Sequence, residues 1–198
     1  MKNIFKTILS LSIIALTFIS CSSDDGVSNS SNQFIVDGET YTLPPIEGNY
    51  RPVTIVSDLS YVEEGEEISV KTITITGLKG TDSFANLIFP IFYKQNSFIS
   101  GTYNFYVDPV SGPPTLDEQL IAEGRLCVLP SLVFGLNTGS SITTALTPTD
   151  SSTLTVIDNG NLNFTFQYNG MFNEYDNSSN IIGTVPVEMN ITTDVVLE

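Results

Sequence analysis

Beyond residue 32 the chain is a succession of short runs in which apolar and polar side chains alternate, the period-two mark of strands buried on one face. Residues 34–36 and 39–43 flank Asp37-Gly38, a pair that readily takes the positive φ angles of a tight hairpin turn. Residues 52–57 predict a further short strand. In 68–76 the apolar positions change parity, from Ile68 and Val70 to Ile73 and Ile75, which predicts a bulge near Lys71-Thr72. Residues 84–94 are apolar at both parities, with Leu87, Phe89, Ile91 and Tyr93 on one face and Ile88 and Phe92 on the other. Pro90 among them predicts an edge or a bulge, because proline has no N–H to give to a neighbouring strand. In 101–107, Tyr103, Phe105 and Val107 alternate cleanly as inward positions. The clearest hairpin joins 153–157 to 162–168 through Asp158-Asn159-Gly160, with Leu162, Phe164, Phe166 and Tyr168 on one face. Residues 184–192 repeat the pattern with Val185, Val187, Met189 and Ile191 inward.

One stretch departs from this period. Thr115-Leu116-Asp117-Glu118 offers a capping box, and Gly124 a C-terminal stop, which predicts one short helix near 116–123. Residues 126–129 and 131–136 then return to strand character. The expected fold is all-β: an antiparallel β-sandwich, with a closed lipocalin-like β-barrel as the alternative, formed by a single β domain over 33–198.

The first twenty residues are patterned differently. Lys2 and Lys6 precede an apolar run from Ile8 to Ile19, too short for a bilayer span, which takes about 20 apolar residues. Phe18-Ile19-Ser20-Cys21 closes it. The segment resembles a bacterial lipoprotein signal, in which an apolar residue and two small or apolar ones precede the cysteine. The resemblance implies that 1–20 are removed as a signal peptide and that Cys21 is acylated, anchoring the chain to a lipid bilayer; two or more acyl chains hold stably where one does not. Residues 21–32, rich in Ser, Asp and Asn, read as a flexible tether. Ser22, Ser23, Asp24 and Asp25 are similar to the acidic export tag of Bacteroidota surface lipoproteins. That likeness implies the outer membrane and its cell-surface face, with the periplasmic face as the alternative. The order of Gly101-Thr102-Tyr103-Asn104-Phe105, a Pro-rich loop and the closing hairpin of 163–170 resembles uncharacterised flavobacterial-type surface lipoproteins, and it carries no activity with it.

Charge and composition narrow the chemistry. The chain has 7 basic and 22 acidic residues, net −15; without Lys2 and Lys6 the balance is 5 against 22, or −17. Such a surface repels nucleic acid, so no nucleic-acid partner is expected. The chain has no histidine, which removes Ser-His-Asp and Cys-His catalysis and His-bearing zinc sites. With Cys21 acylated, Cys127 is a lone thiol among aliphatics, a small buried hydrophobe. No cofactor is expected apart from candidate Ca2+, which needs only oxygen ligands: Glu63, Glu64, Glu66 and Glu67 form one acidic cluster, and Glu174 and Asp176, with Asn173, Asn177 and Asn180, another. There is no Trp, so glycan contacts fall to tyrosines in loops or at outward parity, Tyr50, Tyr61, Tyr93 and Tyr106. The expected function is a non-catalytic cell-surface lipoprotein that binds an extracellular ligand, a glycan or a protein. The alternatives are capture of an apolar small molecule in a barrel, and a carboxylate-based hydrolase using Glu174 and Asp176, or Glu188.

Overall fold

The computed structural model describes residues 32–48, 51–81, 83–95, 99–106, 115–136, 144–148, 152–175 and 180–197. Cys21, Ser22, Ser23, Asp24 and Asp25 lie outside them, as do Tyr50, Val107, Asp176 and Asn177. The strands are β1 (Gln33–Val36), β2 (Glu39–Thr42), β3 (Val53–Glu63), β4 (Glu66–Lys79), β5 (Ser83–Lys94), β6 (Gly101–Tyr106), β7 (Arg125–Val128), β8 (Ser131–Leu136), β9 (Thr144–Pro148), β10 (Thr153–Gly160), β11 (Asn163–Tyr175), β12 (Ile181–Asp194) and β13 (Val196–Leu197), with one helix, α1 (Leu116–Glu123). Among the described residues the fold is all-β with one short helix. Thr115 caps that helix: Glu118 N–H donates to Thr115 Oγ1, Thr115 N–H donates to the Glu118 carboxylate, and Gly124 ends it at φ +76°.

Two long hairpins make the frame. β4 pairs with β5 from Ile68↔Lys94 to Lys79↔Ser83, and β11 pairs with β12 from Asn163↔Asp194 to Tyr175↔Ile181. Shorter strands bridge them on both sides. On one side β7, β6 and β10 join the second half of β5 to the first half of β11, while β8 and β9 join the other halves. On the opposite side β1 and β2 connect β12 to β4, and the two residues of β13 pair with β3. All 13 strands thus belong to one sheet whose pairings close on themselves. The circuit is that of a barrel, with β3 and the two residues of β13 attached to β4 outside it.

The interior is filled as a sandwich core is filled. Ile73 and Ile75 of β4, Leu87, Phe89 and Ile91 of β5, Phe164, Phe166 and Tyr168 of β11 and Val187, Met189 and Ile191 of β12 all join one buried cluster. β5 and β11 are not paired, yet the Phe89 and Tyr168 rings lie 5.7 Å apart, so the two hairpins face each other across the core. Outside, polar cross-strand pairs fix the register: Thr165 with Thr192 at 2.8 Å, Asn163 with Asp194 at 2.9 Å and Gln167 with Asn190 at 3.3 Å.

The parity change in β4 has a different cause from the expected bulge. β4 is regular against β5 throughout, and the register shift sits on its other partner, β3, between Ser57 and Leu59. Ile73 and Ile75 face the barrel interior, whereas Ile68 faces outward into a second buried cluster with Leu120 and Leu126, onto which Phe92, Tyr106 and Leu116 pack. The strand changes its apolar face because α1 covers its outer surface at one end. Pro90 sits where the wall divides: β8 pairs with Ser83 to Ile88 and β7 with Ile91 to Tyr93. A residue without an N–H lies where the neighbouring strands part.

The last long hairpin turns two residues later than its Asn-Gly signal. β10 runs on to Gly160, which pairs with Asn163, and the turn is Asn161-Leu162 at φ +54° and +62°. Two consecutive positive φ values make it the mirror-type turn that suits hairpin twist. Asp158 Oδ1 accepts the Gly160 N–H at 2.8 Å, and Asn159 Nδ2 donates to Asn163 Oδ1 and Thr165 Oγ1, both at 3.0 Å. The Asp-Asn-Gly side chains and backbone thus form a bulge against β11, and the turn falls beyond it.

Candidate functional site

At the end of the barrel where this turn lies, the filled interior gives way to a groove of about 540 Å3. Five apolar side chains line it: Tyr93 of β5, Ile99 before β6, Leu162 of the turn, Phe164 of β11 and Leu197 of β13. Its polar lining is Lys71, Asp158 and Asn161. A few hundred cubic ångströms of mostly apolar wall with sparse polar groups is the character of a small-molecule site.

Lys71 arrives there through the β4 alternation. It shares the inward parity of Ile73 and Ile75 and stands opposite Ser57, which continues the inward series of Val53 and Ile55 on β3. Lys71 Nζ donates to Ser57 Oγ at 2.5 Å. Two other lysines do form ion pairs: Lys79, 2.9 Å from Glu39, and Lys94, 3.9 Å from Glu66. Among the side chains described, which do not include that of Asp58, no carboxylate lies within 4 Å of the Lys71 ammonium. Sequence reasoning passed over Lys71 as part of a bulge. The signal was available: a lysine and a serine at inward positions of two adjacent strands.

The lip of the groove is held in a costly conformation. Leu162 is 50% exposed at φ +62°, a region where a side chain with a Cβ is disfavoured by about 1–2 kcal/mol. It had been expected at the start of a strand with its side chain in the core. Its carbonyl accepts the Val195 N–H at 2.9 Å, Asp158 N–H donates to Ser100 Oγ at 2.7 Å, and Asp194 binds Asn163. Neighbouring segments therefore fix the strained turn, and strain retained in this way marks places where shape matters more than stability. Leu162→Gly is expected to raise stability by about 0.5–1 kcal/mol, since Asn-Gly is the preferred pair for this turn. A urea midpoint equal to or below that of the parent chain would refute the strain.

No protein-family model matches the chain, and no curated protein or solved structure matches it.

Of the described sequence candidates, Tyr93 lines this groove and the others lie elsewhere. Tyr93 is not at an outward position but in the core, edge-on to Tyr103 at 6.4 Å. Tyr61 and Tyr106 pack against the outer cluster beneath α1, and Tyr61 Oη donates to Asp117 Oδ1 at 3.3 Å. These three rings serve packing because the helix and the inward parity of β5 claim them, so they form no exposed aromatic platform. Glu63, Glu64, Glu66 and Glu67 form the β3–β4 tip, turning at Glu64-Gly65 with φ +48° and +83°. Among the described residues no group of three or more acidic side chains is placed to hold a metal ion. Glu174 and Glu188 are exposed on β11 and β12. Glu188 pairs with Asn169, five residues from Glu174 along β11, which separates the two backbone positions by roughly 17 Å.

Burial pushes the hydroxyls of Tyr41, Tyr61, Tyr93, Tyr103 and Tyr168 upward, Tyr61 and Tyr168 to about 12, with Asp117 adding to burial at Tyr61. Burial likewise raises the Cys127 thiol. In the unfolded chain tyrosines ionise near 10 and a thiol near 8.5. Above those values the folded protein holds more protons than the unfolded one, so stability falls as pH rises. With no histidine to titrate, the urea midpoint is expected to be level from pH 7 to about 8, to decline gently near 9 and to fall steeply above about 10. A midpoint still level at pH 11 would contradict the burial of these groups.

Proposed function

We propose that this protein is a lipid-anchored outer-membrane lipoprotein, exposed at the cell surface, whose non-catalytic β domain captures a small, largely apolar molecule in the groove at the barrel end. The observation that supports capture is the groove itself, with Leu162 held in a strained turn at its lip and Phe164 and Tyr93 forming its floor. Anchoring rests on Phe18-Ile19-Ser20-Cys21 and its apolar lead, and surface exposure on Ser22, Ser23, Asp24 and Asp25. Deeper in, Phe166 and Ile191 are fully buried in a continuous core.

The test uses the chain from Ser22 onward, which carries every strand and both buried clusters, and a neutral naphthylamine dye that fluoresces in apolar sites. Dye binding that is saturable and lost in Leu162→Asp supports the reading; Asp tolerates the left-handed turn, so the fold is retained. Dye binding unchanged in Leu162→Asp, or no binding, refutes it. Anchoring is tested separately: metabolic labelling with an alkynyl fatty acid marks the parent chain in cells, and a Cys21→Ser chain labelled equally well refutes acylation there.

A further inference from the structure

The geometry points to an amphipathic carboxylate as the ligand of the groove, its anionic head against Lys71 and its hydrocarbon body along Leu162, Leu197, Ile99 and Phe164, an inference that rests on the capture reading above. Interior positions of a filled barrel are apolar, and the inward series Ile75, Ile73 and Ile55, Val53 obey that rule until Lys71 and Ser57 break it side by side at the mouth. The Lys71 stem is half-buried while its ammonium meets Ser57 Oγ at an exposed position, and among the described side chains it has a hydroxyl but no carboxylate beside it. In a chain of net charge −15, a lysine that meets no carboxylate among the described side chains, beside an apolar groove, favours an anion arriving from outside.

Asp158 also lines the groove and keeps its negative charge there; its Oδ1 accepts the Gly160 N–H at 2.8 Å, which holds it within its own hairpin and leaves Lys71 as the groove's one basic group. Leu162 and Leu197, 50% and 52% exposed, offer the complementary apolar surface. The groove of about 540 Å3 is ample for a medium-length alkyl chain. A carboxylate is the chemistry that a single ammonium with a neighbouring hydroxyl donor fits best, because two oxygens accept from two donors.

The experiment measures displacement of the neutral dye by dodecanoate and by 1-dodecanol, which share a hydrocarbon chain and differ in charge. Dodecanoate is expected to displace it at least about tenfold more tightly than dodecanol, and Lys71→Gln to remove that advantage while leaving dodecanol unchanged. Gln keeps a donor for Ser57, and an unaltered melting temperature confirms the fold. Equal displacement by acid and alcohol, or a preference surviving Lys71→Gln, overturns the carboxylate assignment while dye binding lost in Leu162→Asp leaves the groove reading standing. Loss of dye binding in the parent chain overturns both. A second arm offers phosphatidylglycerol vesicles: recruitment to them without displacement by free dodecanoate overturns the free acid as ligand in favour of a bilayer lipid.

Discussion

Phe89→Ala is expected to cost about 4 kcal/mol, the middle of the range for emptying a fully buried phenylalanine site. Phe89 is 0% exposed and sits at the centre of an aromatic group: its ring lies 6.3 Å from Phe105 and 5.7 Å from Tyr168. Phe105 and Tyr168 stack at 5.5 Å, and Tyr168 meets Phe172 edge-on at 5.7 Å. These rings join β5, β6 and β11, strands from both long hairpins, so the surroundings cannot collapse into the vacated space without shifting backbone held in the sheet. Against a typical stability of about 5–15 kcal/mol, the loss corresponds to a fall of about 8–16 °C in melting temperature. Urea unfolding at constant slope is the measurement, and a loss below about 1 kcal/mol would show that this group does not hold the hairpins together.

Gly77→Val is expected to cost about 3 kcal/mol and to act at one seam. A Cβ at Gly77 would lie 2.5 Å from Phe34 Cε1, 2.7 Å from Phe34 Cζ and 2.8 Å from Tyr41 Cβ. Phe34 and Tyr41 stack at 5.7 Å and 12°, bridging β1 and β2 directly over the glycine. Here β2 meets β4 through the single pair Thr42↔Leu78, the narrowest join in the circuit. Overpacking a core costs about 1–3 kcal/mol in general, and a join this short has little pairing with which to resist. Amide hydrogen exchange distinguishes a local from a global effect. Exchange in β1 and β2 is expected to accelerate more than in β11 and β12; uniform acceleration would mean that the seam is not a separate unit.

What the sequence disclosed and what it withheld divide along the range of the interactions involved. The β1–β2 hairpin turns at Asp37-Gly38, and α1 is capped by Thr115 and Glu118, because those signals act within a few residues. Alternation in β6, β11 and β12 placed Tyr103, Phe166 and Met189 inward correctly, since burial on one face is a local pattern. Closure entered the sequence reading only as the alternative to a sandwich, because it depends on pairings such as β5 with β7 and β1 with β12, between segments far apart in the chain. The same limit misled the reading of β4, whose outer apolar end answers to a helix some fifty residues later. In the last long hairpin the Asn-Gly signal was genuine, but side-chain bonds from Asp158 and Asn159 turned it into a bulge and passed the turn to Asn161-Leu162. The groove escaped notice because its lining comes from β4, β5, the β10–β11 turn and β13, which only the closed barrel brings together.

The packing of Cys127 has a consequence for redox chemistry. Its sulfur belongs to the barrel interior, and burial holds it as the neutral thiol rather than the thiolate that attacks disulfides and oxidants. In the location proposed above, outside the reducing cytoplasm, an exposed thiol would risk sulfur-linked dimers or mixed disulfides. With the sulfur sequestered, the folded chain is indifferent to oxidising surroundings, and covalent cross-linking through Cys127 becomes a signature of unfolding alone.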